Sequence, residues 1–307
     1  MKELYNDTYI DLHMHSCYSD DGEYTPAELV EMCRKRNIRI MAIADHNCVR
    51  ANFEGQKAAE AAGIKYIPAI EIDCTYENVN FHVLGYGIDY EKEDFQLIER
   101  NIRDQSREAS YKMLHLTREL GFHVEEKEME QLGENNYWND MWNGEMFAEV
   151  LLHKPEYQDH PLLLPYRKGG ARADNPYVNF YWDYYSQGKP CYAEIKYPTM
   201  EEVVDIIHRN GGKAVLAHPG INLKDNSNLL LPVIQTGIDG IEAFSSYHSG
   251  SQAVHYYEEA MSLGRFVTCG SDFHGKTKPA ISLGDTGCMA GQPEIEESLK
   301  QKGLLQD

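Results

Sequence analysis

The stretch Tyr9-Ile10-Asp11-Leu12-His13-Met14-His15, followed by Thr25-Pro26-Ala27-Glu28, decides the fold. Side chains in the first segment alternate between apolar and polar, as in a strand with its two faces in different surroundings. The second segment supplies a helix start: a threonine cap, a proline at the first helical position and a glutamate where a capping box needs one. A helix therefore runs to about Arg36, and Ile38 to Ala44 reads as the next strand. Outward from this βαβ unit the pattern continues. Phe53 to Ala62 is a helix stopped by Gly63, while Lys65 to Ile70 and Phe81 to Tyr86 are strands. It resumes at Thr199-Met200-Glu201-Glu202, a second capping box whose helix runs to Asn210-Gly211-Gly212. Strands follow at Ala214 to Ala217, Gly240 to Phe244 and Arg265 to Cys269, with helices near 229–236 and 251–263. At least seven parallel strands alternating with helices predict an α/β fold built as a closed or nearly closed barrel.

Residues 101–192 break the alternation, so the expected organisation is a first barrel part over 1–100, a largely helical insertion over 101–192 and a second barrel part over 193–307. A long polar helix, roughly Asp94 to Leu120, leads into the insertion, which holds Trp138, Trp142 and Trp182 and the run Arg167-Lys168-Gly169-Gly170-Ala171-Arg172. Arg167, Lys168 and Arg172 are either a solvated loop or a lid over an anionic substrate. The tyrosines around them read as core rather than as a base-stacking surface.

The chain has 307 residues, 42% of them hydrophobic and 25% charged, which is enough for a sizeable core and excludes disorder and coiled coil. Lys and Arg number 29 against 49 Asp and Glu, a net charge of −20 that would repel a phosphate backbone, so duplex nucleic acid is not an expected partner. Apolar runs such as Ile40 to Ala44 are far too short to span a bilayer, and Met1 to Asp7 has no apolar leader segment. Seven cysteines without a Cys-x-x-Cys pair argue against a disulfide framework or a zinc ribbon and fit a reducing cytoplasm. No pattern fixes an oligomeric state.

The chemistry gathers at strand ends. Asp11, His13 and His15 share one face of the first strand by its period of two, and two adjacent imidazoles suit a metal ion. Asp20 follows in the next loop. Asp45 and His46 end the second strand, Glu71 the third, and His218 follows Ala214 to Ala217. Asp272 and His274 follow the strand at Arg265 to Cys269, while His82 alone lies near the start of a strand. Carboxyl ends of strands are where α/β barrels keep their active sites.

Four segments, Asp11-Leu12-His13-Met14-His15-Ser16, Ala44-Asp45-His46-Asn47, Ala217-His218-Pro219 and Gly270-Ser271-Asp272-Phe273-His274-Gly275, resemble in order the four motifs of the PHP (polymerase and histidinol phosphatase) family. The resemblance implies a distorted (β/α)7, TIM-like barrel with two or three divalent ions, Mn²⁺, Fe²⁺ or Zn²⁺. It further implies that His13, His15, Glu71 and Asp272 hold one ion, that Glu71 bridges to a second held by His82 and His218, and that Asp20, His46 and His274 hold the third. His248 matches a position that faces the substrate phosphate or protonates the leaving oxygen, and Asp45 would orient a ligand. Two departures stand out. Ser19-Asp20-Asp21-Gly22 has an acid more than the family's Ser-Asp-Gly; Asp20 is taken as the ligand, with Asp21 as the alternative. The insertion resembles that of the nucleotide phosphatases in position and in its exit at Gly188-Lys189-Pro190. Yet Gly144-Glu145-Met146-Phe147 stands where those proteins tend to have Gly-Arg-Pro-His, so a phosphate-binding arginine is missing.

The expected function is that of a metal-dependent phosphoesterase acting on a small phosphorylated metabolite or nucleotide through a metal-bridging hydroxide. Cyclic phosphodiesters and oligonucleotide ends are alternatives within the family. A carbon–nitrogen hydrolase lacks an obvious strand-end lysine, and a noncatalytic module would show eroded ligands, whereas all nine positions are filled. Gly270 to Thr277 also fits the P-loop expression, but Lys278-Pro279 and no helix follow, which excludes that reading.

Overall fold

The computed structural model describes residues 8–134, 136–224, 226–288 and 291–306, so the reading of Met1 to Asp7 lies outside the described residues. The first half of the chain forms β1 (Ile10–Asp11), α1 (Pro26–Lys35), β2 (Ile40–Met41), α2 (Ala51–Ala62), β3 (Lys65–Tyr66), β4 (Ala69–Tyr76), β5 (Val79–Tyr86) and α3 (Glu93–Glu119). Then come α4 (Glu126–Gly133), α5 (Gly144–His153), α6 (Pro176–Tyr184), α7 (Met200–Arg209), β6 (Lys213–Leu216), α8 (Pro219–Asn222) and α9 (Leu230–Gln235). The chain closes with β7 (Gly240–Ser245), α10 (Gly250–Ser262), β8 (Phe266–Gly270) and α11 (Gln292–Gln301). Both capping boxes form: the Thr25 hydroxyl accepts the Glu28 N–H while the Glu28 carboxylate accepts the Thr25 N–H, and Thr199 and Glu202 repeat this before α7. Among the described residues no helix is long and apolar enough to cross a membrane.

The α/β class holds, but the all-parallel, closed barrel does not. The strands form two sheets, a parallel one in the order β1-β2-β3 and a mixed one in the order β4-β5-β6-β7-β8. β5 is antiparallel to both of its neighbours. The physical reason is a tight hairpin that composition conceals. Glu77 and Asn78 turn the chain with φ of 48° and 64°, the left-handed pair a two-residue hairpin requires, and glutamate is not a residue that announces it. Pro68 divides the expected Lys65 to Ile70 strand into β3 and the start of β4. The sheets approach each other through short runs of backbone hydrogen bonds: Leu12 N–H to the Cys269 carbonyl at 3.0 Å, Asp272 N–H to His13 and His15 N–H to Phe273 on one side, and Asn47 N–H to Glu71 and Glu71 N–H to Asp45 on the other. No continuous ladder closes the ring among the described residues.

Among the described residues the three largest of four apolar clusters hold these pieces. The largest joins Ile10, Ile40, Ile70, Val83, Val215 and Ile241 of the strands to Val203 and Ile207 of α7, Val233 of α9 and Leu299 of α11. A second lies where Leu29 and Cys33 of α1 meet Ala51 and Ala59 of α2 over Met14 and Met41. A third belongs to the segment 109–193, with Leu114, Phe122, Phe147, Leu151, Phe180 and Tyr185 fully or almost fully buried. Each such side chain contributes about 1.5–3 kcal/mol relative to exposure.

Asn52 ties helix to sheet. Its Nδ2 donates to the carbonyls of Val49 and Ala69, and its Oδ1 accepts from the Ala69 N–H and the Tyr66 hydroxyl, so one fully buried amide spans the break at Pro68. Asn52→Ala leaves several of these groups unpaired and is expected to cost about 2–4 kcal/mol. Urea denaturation checks this; a loss below roughly 0.5 kcal/mol would show that water replaces the amide.

Candidate metal centre

β1 ends at Asp11, and the extended chain beyond it carries His13 and His15 to the same side, their Nε2 atoms 3.1 Å apart. Asp11 itself turns away: its carboxylate accepts the N–H groups of Ser271 and Gly284, and burial raises its pKa to about 6. Phe273 pairs with Met14, which delivers Asp272 and His274 beside the two histidines. The hairpin of β4 and β5 sets Asp73 opposite His82 and brings Glu71 of the same strand beneath the imidazoles. His218 at a φ of 22° and Asp272 at 55° occupy backbone conformations that non-glycine residues avoid, a strain of order 1–3 kcal/mol each that the surrounding packing sustains.

Glu71 is the centre. Its Oε1 lies 2.9 Å from His82 Nδ1 and 3.0 Å from His218 Nε2. Its Oε2 lies 3.1 Å from His13 Nε2, 3.2 Å from His15 Nε2 and 3.3 Å from His46 Nδ1. Burial alone would raise its pKa, but His13, His46 and His82 hold the carboxyl well below the usual range. Around it the ligand-type atoms fall into groups: His13, His15, Glu71 and Asp272; Glu71, His82 and His218; and His15, Asp21, His46 and His274. Asp73 forms a further group with His46 and His82.

The tautomers are set from outside. His13 Nδ1 meets Glu242 Oε1, His15 Nδ1 meets Ser19 Oγ, His218 Nδ1 meets Asn222 Oδ1, and His274 Nδ1 meets the Asp272 carbonyl, each at 2.9 Å. Three of those partners are pure acceptors, and Ser19 gives its own proton to Asp45 at 3.1 Å, so every Nδ1 is the donor. All four Nε2 lone pairs are thereby left for an ion. His46 Nδ1, Asp21 Oδ1 and Asp272 Oδ1 are buried with no hydrogen-bond partner. Unpaired buried atoms of this kind are rare, and three of the nine among the described residues fall within this one cluster. A divalent cation satisfies them and reconciles the crowded carboxylates and imidazoles, so the donor set fits metal.

A family model described as "PHP domain" matches residues 11–158. The first half of the chain is thus similar to a PHP domain. A Chromobacterium violaceum protein named 3′,5′-nucleoside bisphosphate phosphatase is 28% identical over 281 residues, covering 90% of this chain and 91% of that protein. An Eggerthella lenta protein named phosphoribosyl 1,2-cyclic phosphate 1,2-diphosphodiesterase is 25% identical over 268 residues, covering 87% of this chain and 94% of that one. A solved Chromobacterium violaceum structure, described as an amidohydrolase with bound sulfate and no metal, superposes with a TM-score of 0.73 at 25% identity over 94% of this chain and 96% of that one.

The expected residues fall in different places. His13, His15, His46, Glu71, His82, His218, Asp272 and His274 come together. Asp20 does not join them; Asp21 does, with Oδ2 at 3.0 Å from His274 Nε2. Asp20 instead meets the Asn143 amide through its carbonyl and carboxylate, and burial together with Asp21 raises its pKa. Asp45 accepts from Ser16 and Ser19 and so steadies His15 at one remove. His248 has both nitrogens engaged: Nδ1 donates to the Ala243 carbonyl at 2.8 Å and Nε2 accepts the Gly220 N–H at 3.0 Å. Burial keeps it neutral, and in this state it braces the α8 turn behind His218 and has no free nitrogen for a phosphate. Arg167 donates to the Leu152 and Tyr157 carbonyls, and Arg172 pairs with Asp183, so both guanidinium groups stitch the 101–192 segment together; Lys168 is exposed.

Asp73, Glu242 and Lys278 were missed. Asp73 carries a legible signal, since it lies two residues from Glu71 on one strand face. Lys278 follows a P-loop look-alike whose own Lys276 pairs with Glu149. If Ser19 orients His15, Ser19→Ala should weaken metal binding about 10–100-fold with the fold intact. Competition with a chelator measures this, and unchanged affinity would remove Ser19 from the account.

Proposed function

We propose that the chain is a metal-dependent phosphoesterase that hydrolyses a phosphate ester of a small metabolite or nucleotide. The observation that carries this reading is the convergence of preset Nε2 atoms and partnerless carboxylate and imidazole atoms around Glu71. In this reading His13, His15, Glu71 and Asp272 hold one ion, Glu71, His82 and His218 a second, and Asp21, His46 and His274 with His15 a third. Two or three such ions, Mn²⁺, Fe²⁺ or Zn²⁺, would supply Lewis-acid charge for the phosphoryl oxygens and acidify an attacking water. Ser19, Glu242 and Asn222 keep the imidazoles aligned, and Asp45 keeps Ser19 aligned. The relatives named phosphatase and diphosphodiesterase support phosphoester chemistry, the second of them leaving a cyclic phosphodiester as the alternative substrate. The carbon–nitrogen reading is the weaker one. The lysine at this site, Lys278, is paired with Asp272, and Asp272 together with Asp21 keeps its ammonium charged against the effect of burial, which disfavours a bridging carbamate.

The segment 101–192 covers the site in this reading. Trp138 Nε1 donates to the Tyr18 carbonyl, Asn143 reaches Asp20, Glu149 pairs with Lys276, and Asn175 accepts the Ala280 N–H. Glu145, one residue into α5, is pushed well above the usual carboxyl range by burial and by Asp21 and Asp20. Glu145 stands where nucleotide phosphatases tend to place an arginine, so in this reading α5 does not supply the cation that a second phosphate would meet. His13→Ala and Asp272→Asn should each lower turnover of the best phosphate ester by roughly 10³-fold or more without unfolding the protein. A loss below about tenfold in both, or N-acyl hydrolysis exceeding phosphate release, would contradict the reading.

A further inference from the structure

Lys278 is a cation where cations are scarce. It is 7% exposed, and its Nζ lies 2.8 Å from Asp272 Oδ2 and 3.4 Å from His274 Nε2. Those two partners belong to different groups, Asp272 with His13, His15 and Glu71, and His274 with His15, Asp21 and His46, so Nζ borders both. Among the described residues no other lysine or arginine forms an ion pair with a member of these groups. The other candidates are occupied: Arg167 by carbonyls, Arg172 by Asp183, and Lys276 by Glu149.

The loop that carries Lys278 is fixed on several sides. Thr277 Oγ1 donates to the Asp21 carbonyl at 2.7 Å, Lys276 N–H to Glu23 Oε2 at 2.6 Å, and Ile281 N–H to the Lys278 carbonyl at 3.0 Å. Pro279 restricts the backbone further. The ammonium is therefore held in place beforehand, which limits the entropy a flexible lysine would lose on meeting a ligand. Its contact with His274 Nε2 engages the one nitrogen of that ring left for an ion. An ammonium and a metal ion cannot share one lone pair, so with an ion on His274 that N–H would need another acceptor, which a phosphoryl oxygen can provide.

We propose that Lys278 binds the phosphoryl group of the substrate, an inference that rests on the phosphoesterase reading and names the anion-binding residue of the same site. The ammonium contributes a charge-assisted hydrogen bond to a phosphoryl oxygen, the role the basic run of the 101–192 segment does not fill. Isothermal titration of inorganic phosphate into manganese-loaded protein tests it, with bound metal counted on the same samples. Lys278→Met should bind phosphate at least about tenfold more weakly at unchanged metal content, and Lys278→Arg should stay within roughly threefold of the parent. Lys278→Gln, which retains a donor for Asp272, serves in place of the methionine variant should that variant not fold, with the same expectation. Phosphate affinity within about twofold of the parent, or loss of metal with affinity, overturns the proposal, because Lys278 would then serve only to neutralise Asp272. A parent that hydrolyses no phosphate ester refutes the phosphoesterase reading itself, whereas a parent that hydrolyses esters and a charge-removed variant that binds phosphate normally refute the role of Lys278 alone.

Discussion

One fully buried carboxylate, Glu71, touches five imidazoles from four different parts of the chain, and the rest of the site is arranged around that contact. A charge so far from water is costly unless it is paired, and the pairing here is far denser than one carboxylate needs. Without cations the cluster is held by protons on its histidines: Glu71, Glu242 and Asp272 outweigh burial and raise the pKa of His13, and Asp272 and Glu71 do the same for His15. Divalent ions, if bound, would take the same atoms as ligands in place of those protons. The structural demand on the fold is thus to bring β1, β2, β4, β5, β6 and β8 to one point with their side chains already oriented.

Two devices meet that demand. The β4–β5 hairpin folds Asp73 and His82 back over Glu71, which a parallel strand could not do within the same short length of chain. Supporting hydrogen bonds from Glu242, Ser19, Asn222 and the Asp272 carbonyl then fix each imidazole with its Nε2 inward. Asp45 illustrates how the support is layered, since it holds Ser16 and Ser19 and touches no ligand atom directly.

Much of this was legible in the sequence. Thr25-Pro26-Ala27-Glu28 and Thr199-Met200-Glu201-Glu202 state their helices outright, because capping is a local interaction between residues three apart. The strand-end histidines were legible because they lie beside short motifs. What escaped depends on non-local geometry. Glu77 gives no sign of its positive φ, so the antiparallel turn stayed hidden and the strands were read as parallel. Choosing between Asp20 and Asp21 required the position of His274, and the basic run looked available because its carbonyl and Asp183 partners are invisible in one dimension. Lys278 gives no sign in the sequence for the same reason: its burial against Asp272 is a property of the folded loop.

The most direct test of the account is an anomalous diffraction map from crystals of protein equilibrated with Mn²⁺. The account predicts two or three peaks among the ligand atoms of His13, His15, Asp21, His46, Glu71, His82, His218, Asp272 and His274, with Glu71 between two of them and Asp21 rather than Asp20 at the third. A map with no peak there, or with manganese bound only elsewhere on the acidic surface, would contradict it.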